Sequence, residues 1–131
     1  MVIAVDYDGT CTVTNVYPHL GTLRPHCIEV LKALQAAGHK LILWTCRSDD
    51  EEIDALSQVV EMFKAQGFTF DAVNDNLPEV KEHYKGLSRK IFATYYIDDA
   101  AWPGLVAKDT ELWEHVAASF GIVLGGDNDS K

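Results

Sequence analysis

The sequence predicts an α/β fold: a three-layer sandwich with helices on both faces of a five-stranded parallel sheet. Three observations lead to it. Short apolar runs recur along the chain, amphipathic stretches long enough for helices separate them, and two of the runs end directly on closely spaced acids. Nearly continuous apolar runs belong to strands buried on both faces, and alternation with helices is how parallel strands are joined.

The strands are expected at residues 2–5, 40–44, 70–73, 93–97 and 122–124. Between the first two, residues 25–37 carry Cys27, Ile28, Leu31 and Leu34 at helical spacing and stop at Gly38, a C-terminal cap residue. A second helix is expected to start at a Ser48 or Asp49 cap, with Asp49, Asp50, Glu51 and Glu52 in its first turn. It then runs through Ile53, Leu56, Val60 and Phe63 to end before Gly67. That acidic run reads as a solvated helix start rather than a metal site. Residues 75–88, with Pro78, Gly86 and mixed charge, read as a loop with one short helical turn, and residues 110–119 as the last helix. The strand order expected is 5-4-1-2-3. Residues 1–124 then form a single domain, and 125–131, with no apolar anchor, a flexible tail.

A length of 131 residues is ordinary for one self-sufficient core, and 47% apolar with 24% charged residues matches soluble globular proteins, excluding fibrous, disordered and membrane-spanning classes. The net charge of -9 repels nucleic acid, although a divalent cation can still admit a small anionic substrate to one cleft. Cys11, Cys27 and Cys46 lack metal spacing and read as reduced, mostly buried thiols, with Cys46 in packing. Trp44, Trp102 and Trp113 read as packing residues too. The chain begins with neither a basic leader nor a secretory apolar region, so a cytoplasmic location is expected. A homo-oligomer is compatible with all of this.

Chemistry concentrates where apolar runs end. Asp6-Tyr7-Asp8-Gly9-Thr10 follows the first strand and Asp98-Asp99 the fourth, at the carboxyl ends where open α/β sheets bind ligands. Were those strands neighbours, four acids would share one cleft. Such crowding needs a counter-ion, and oxygen-only ligation is what Mg²⁺ prefers.

This pattern resembles the haloacid dehalogenase-like superfamily, whose first motif, D-x-D-x-T, is matched by Asp6, Asp8 and Thr10. Its second, a Thr or Ser ending the second strand, is matched by Thr45; its third is a Lys, and its fourth is the acidic pair Asp98-Asp99. The spacings leave no room for an inserted cap, so the resemblance is to the small capless phosphatases and implies a Rossmann-like sheet. It implies that Asp6 is a nucleophile forming an aspartyl-phosphate and Asp8 a general acid and base. Thr45 would bond a phosphoryl oxygen, with Arg47 assisting, while the backbone of Tyr7, Gly9 and Thr10 cradles the others. Mg²⁺ would sit on Asp6, the Asp8 carbonyl and Asp99, with Asp98 behind it. Lys81, Lys85 and Lys90 are the lysines available, and Lys90, directly before the fourth strand, is the one assigned to the phosphate.

The activity implied is Mg²⁺-dependent hydrolysis of a small phosphomonoester, a sugar phosphate or nucleotide. Without a cap, residues 11–22, with Tyr17, Pro18 and His19, are a candidate flap over the leaving group, and Asn74, Asp75 and Asn76 candidates to bond a hydroxylated one. Two alternatives stand beside this reading. A phospho-accepting receiver domain would carry its acceptor Asp after the third strand, and a non-catalytic binding module would share the fold without turnover.

Overall fold

The computed structural model describes residues 1–101 and 111–125. Its sheet is built outward from β1 (Val2–Val5), which pairs on one side with β2 (Lys40–Leu43) and on the other with β4 (Tyr95–Ile97). β3 (Ala72–Val73) lies beyond β2, and every pair is parallel. Val5 stands opposite both Leu43 and Ile97. The residues that follow, Asp6 and Asp98, therefore leave the sheet side by side. A slip of one residue would turn every side chain to the other face, so burial on both faces holds this register.

Alternation along the strands divides the core in two. Ile3, Val5, Leu41 and Leu43 pack under α1 (Cys27–Ala36), α2 (Ala55–Ala65) and α4 (Leu112–Ser119), together with Val30, Leu31, Leu34, Val59, Phe63 and Trp113. Ala4 and Ile42 face the other way, where Leu77, Ile91 and the partly buried Val80 meet them beside α3 (Pro78–Tyr84). At roughly 1.5–3 kcal/mol per buried large apolar side chain, the first face supplies most of the stabilisation.

Three expectations are corrected. Residues 122–124 form no strand: Gly121 turns the chain at a φ of 70°, Ile122 and Leu124 pack against the larger core, and the Gly125 N–H is held by Glu29 of α1. Among the described residues the sheet thus has four strands in the order 3-2-1-4, in place of five in the order 5-4-1-2-3. The acidic run does not open the second helix either. α2 begins at Ala55, and Asp49 caps it from the preceding loop, Oδ1 accepting the N–H groups of Leu56 at 3.0 Å and Ser57 at 2.9 Å. A bridge between Asp49 and Asp54 brings the carboxylate there, so the free N–H groups of the first turn are satisfied from outside the helix. Lastly, the expected loop at 75–88 contains a helix of seven residues, with Pro78 in its first turn, where no N–H is required.

The helix expected from residue 110 begins at Leu112. Thr110, Trp102 and the tail residues 126–131 lie outside the described residues. Trp113 is fully buried and Trp44 partly so, whereas Cys46, expected in packing, is exposed; Cys11 and Cys27 are buried. Among the described residues no helix is long and apolar enough to cross a membrane.

Candidate functional site

The Asp6 N–H donates to the Ile97 carbonyl at 2.9 Å, which places Asp6 at the edge where β1 and β4 stop together. The chain then turns tightly, and the N–H groups of Thr10 and Cys11 reach back to the Tyr7 carbonyl at 3.1 and 2.8 Å. Gly9 makes the turn at a φ of 84°, and a Cβ there would lie 2.5 Å from Asp99 Oδ2. Only glycine lets the loops after β1 and β4 come this close.

One consequence is an acidic cluster. Carboxylate oxygens of Asp6, Asp98 and Asp99 lie within 4.8 Å of one another. The buried Thr10 hydroxyl binds the two loops together: it donates to Asp6 Oδ2 at 2.8 Å and accepts the Asp99 N–H at 2.8 Å. Trp113 of α4 fixes the Thr10 carbonyl through Nε1–H at 3.1 Å. Burial, and then the charges of Asp98 and Asp99, push the Asp6 carboxyl from 3.8 up to about 7, against the bond from Thr10 that lowers it. Three crowded carboxylates offering only oxygen fit a hard divalent cation, which would remove the cost of ionising Asp6.

Asp8 has a different partner. Its Oδ2 accepts from Arg47 Nε at 2.9 Å and its Oδ1 from Arg47 Nη2 at 2.8 Å, the parallel two-bond geometry of a strong ion pair. This pair holds the Arg47 guanidinium above its ordinary value. Arg47 is 1% exposed. Its Nη1 also donates to the carbonyls of Pro18 and Ala55 at 3.2 and 3.1 Å, and Nη2 to that of His19 at 2.6 Å. The rings of Tyr7 and Tyr17 flank the guanidinium, with centroids 5.1 and 5.2 Å from Cζ.

Thr45 ends the β2 loop next to this pair. Its hydroxyl accepts the Arg47 N–H at 3.2 Å, and Asn74, at a left-handed φ of 52°, accepts the Thr45 N–H at 2.8 Å while donating to the Arg47 carbonyl at 3.1 Å. Residues 11–24 form a short hairpin arm: Thr12 bridges Leu23, and the N–H of Val13 bonds the Thr22 carbonyl at 2.8 Å. Buried Arg24 secures its base, donating to the carbonyls of Gly9 at 2.8 Å and Thr12 at 3.1 Å.

The fold therefore brings Asp6, Asp98, Asp99, Gly9 and Thr10 together, with Asp8, Arg47 and Thr45 in a second group beside them. Tyr7 is not a ligand contact through its side chain, which is buried with its hydroxyl on the Leu20 carbonyl at 2.7 Å. The N–H groups of Gly9 and Thr10, expected to cradle phosphate, are spent on Thr12 Oγ1 and the Tyr7 carbonyl. Lys90 forms no ion pair with these acids among the described residues; its ammonium lies over the Tyr96 ring, 5.8 Å from the centroid. Lys81 pairs with Asp75 at 2.8 Å, and Asn76 is buried, its Oδ1 accepting the Phe92 N–H at 2.6 Å. The loop at 74–76 thus holds the fold rather than presenting free groups to a leaving group.

Sequence reading passed over Arg24, Trp113 as a positioning group, and Asn74 as a brace. Their partners here are mostly main-chain groups, which leave no mark on residue type; the αL preference of Asn was the one usable signal.

No family model and no curated protein matches the chain. It is similar to a conserved protein from Bacteroides thetaiotaomicron of solved structure, at 34% identity and a TM-score of 0.72, over 95% of this chain and 98% of that one.

Proposed function

Given that the chain belongs to one family with that conserved Bacteroides thetaiotaomicron protein, we propose that it is a Mg²⁺-dependent phosphomonoester hydrolase of the haloacid dehalogenase-like type. One observation carries this reading: Asp6, Asp98 and Asp99 converge within 4.8 Å at the carboxyl ends of two paired strands. Asp6, Asp99 and Asp98 would hold the ion, which supplies charge neutralisation for the phosphoryl group and for the acids around it.

A carboxylate oxygen of Asp6 attacks phosphorus as the bond to the ester oxygen breaks, giving an aspartyl-phosphate. Asp8 delivers the proton to the departing oxygen and later takes one from the water that attacks the phosphoryl group, freeing Asp6 and inorganic phosphate. Each Asp8 oxygen keeps a lone pair beyond its bond to Arg47, so the clasp leaves room for that proton. Thr45 and Lys90 are the groups this reading assigns to the phosphoryl oxygens. The substrate is a small phosphorylated metabolite.

Hydrolysis of p-nitrophenyl phosphate, with Mg²⁺ or with a chelator, tests the reading in wild type and Asp6→Asn. Turnover that needs both the metal and Asp6 supports it; turnover indifferent to either overturns it. A long-lived phosphoryl adduct from acetyl phosphate, with no ester hydrolysis, would assign the chain to the receiver class instead.

A further inference from the structure

A guanidinium carries five N–H donors in a rigid fork. Arg47 uses every one of them inside the protein: Nε and one Nη2 hydrogen on Asp8, the other Nη2 hydrogen on the His19 carbonyl, and Nη1 on the carbonyls of Pro18 and Ala55. Flanked by Tyr7 and Tyr17 and almost wholly buried, it has no donor left to offer a phosphate. Its five acceptors come from three separate places: the loop after β1, the hairpin arm, and the first turn of α2.

We propose that Arg47 is a positioning residue and not a substrate ligand: it fixes the Asp8 carboxylate and clamps the arm at Tyr17, Pro18 and His19 as one unit. The arm is held against the same group that aims Asp8, so its closed position and the orientation of Asp8 are set together. Loss of either partner releases the other. The half of this inference that concerns turnover rests on the hydrolase reading above; the clamp itself does not.

The test uses the full chain as Arg47→Lys, Asp8→Asn and the double variant, each checked by thermal unfolding. Asp8→Asn keeps the volume of the buried pair and serves if Arg47→Lys does not fold. Hydrogen exchange is followed at the His19 amide, which bonds the Val16 carbonyl at 3.0 Å, with the Val30 amide inside α1 as internal reference. The expected result is exchange at least tenfold faster at His19 in both single variants, with Val30 accelerated only as far as the loss of global stability read from thermal unfolding requires. Unchanged exchange at His19 in the folded variants overturns the clamp, whether or not the protein hydrolyses any ester.

Where p-nitrophenyl phosphate is turned over, Arg47→Lys is expected to lower kcat at least tenfold with KM within about twofold of wild type. The double variant is expected to be no slower than Asp8→Asn alone, because Arg47 acts through Asp8. A KM raised more than tenfold at unchanged kcat makes Arg47 a substrate ligand and overturns the assignment, as do additive losses in the double variant.

Discussion

The two sides of β1 treat their carboxylates in opposite ways. Toward β4, Asp6 sits among like charges and its carboxyl is pushed up to about 7. Toward β2, Asp8 is clasped through both oxygens by a buried arginine. Two acids separated by one residue thus stand in environments that separate their chemistry, one short of positive charge and the other fully supplied. In the hydrolase proposed above, the first would receive a cation and a phosphoryl group. The second is arranged to stay where it is.

The sharpest way to break this contrast is to neutralise each acid in turn. Asp6→Asn is expected to lower kcat on p-nitrophenyl phosphate by at least roughly 10³-fold. It is also expected to raise the metal-free melting temperature by a few degrees, on the order of 1 kcal/mol, since one charge leaves the crowded cluster. Asp8→Asn is expected to lower kcat by about 10²–10⁴-fold and to move stability the other way, costing about 3 kcal/mol, because Arg47 keeps a buried charge without its counter-charge. Equal signs in the two unfolding experiments would erase the distinction.

A pH series sharpens it further. Asp6 binds its proton more tightly in the folded chain than in the unfolded one, so its favourable contribution is full below about 3.8 and is lost as pH rises through about 7. Metal-free stability should therefore fall across that window, by on the order of 1–2 kcal/mol after allowance for the partial exposure of the group. Mg²⁺ should raise the melting temperature more at pH 7.5 than at pH 5, and calorimetric scans with and without the ion measure this. An effect confined to the β4 side is expected from Gly9→Ala, which forces a left-handed φ on alanine and pushes Cβ into Asp99. It should cost about 1–2 kcal/mol and weaken Mg²⁺ binding by isothermal titration, while leaving the Asp8–Arg47 side intact.

The β4 side of this contrast was legible in the sequence and the β2 side was not. A buried run that ends on Asp6, and another that ends on Asp98 and Asp99, announce themselves because burial and sudden charge are properties of residue type. That the two runs pair follows from ordinary α/β topology. The spacing of Arg47 from Thr45 is visible in the sequence and suggests an aid to phosphate binding, whereas the carbonyls of Pro18, His19 and Ala55 that occupy it are created by folding. The same blindness moved the start of α2: Asp49 looked like the first cap and is one, but it acts across a bridged loop on a helix that begins at Ala55. Pro78 stands in the first turn of α3, where a helix tolerates it, and so does not mark the loop that its residue type suggests. The run at 122–124 satisfied the strand pattern and was claimed by the helical layer instead.

The lopsided core has a consequence for how the molecule comes apart. The layer over Ala4 and Ile42 is sealed by Leu77 and Ile91, with only partly buried residues such as Val80 and Ala93 behind them, so among the described elements α3 and the segment leading to β4 are expected to open more readily than the larger core. Brief excursions there would expose the buried Leu77, Ile91 and Asn76, while the three helices opposite keep Asp8 and Arg47 in register. Slow-exchanging amides are therefore expected to concentrate in β1, β2 and α1, and hydrogen exchange should be faster in α3 than at the Asp8–Arg47 clasp.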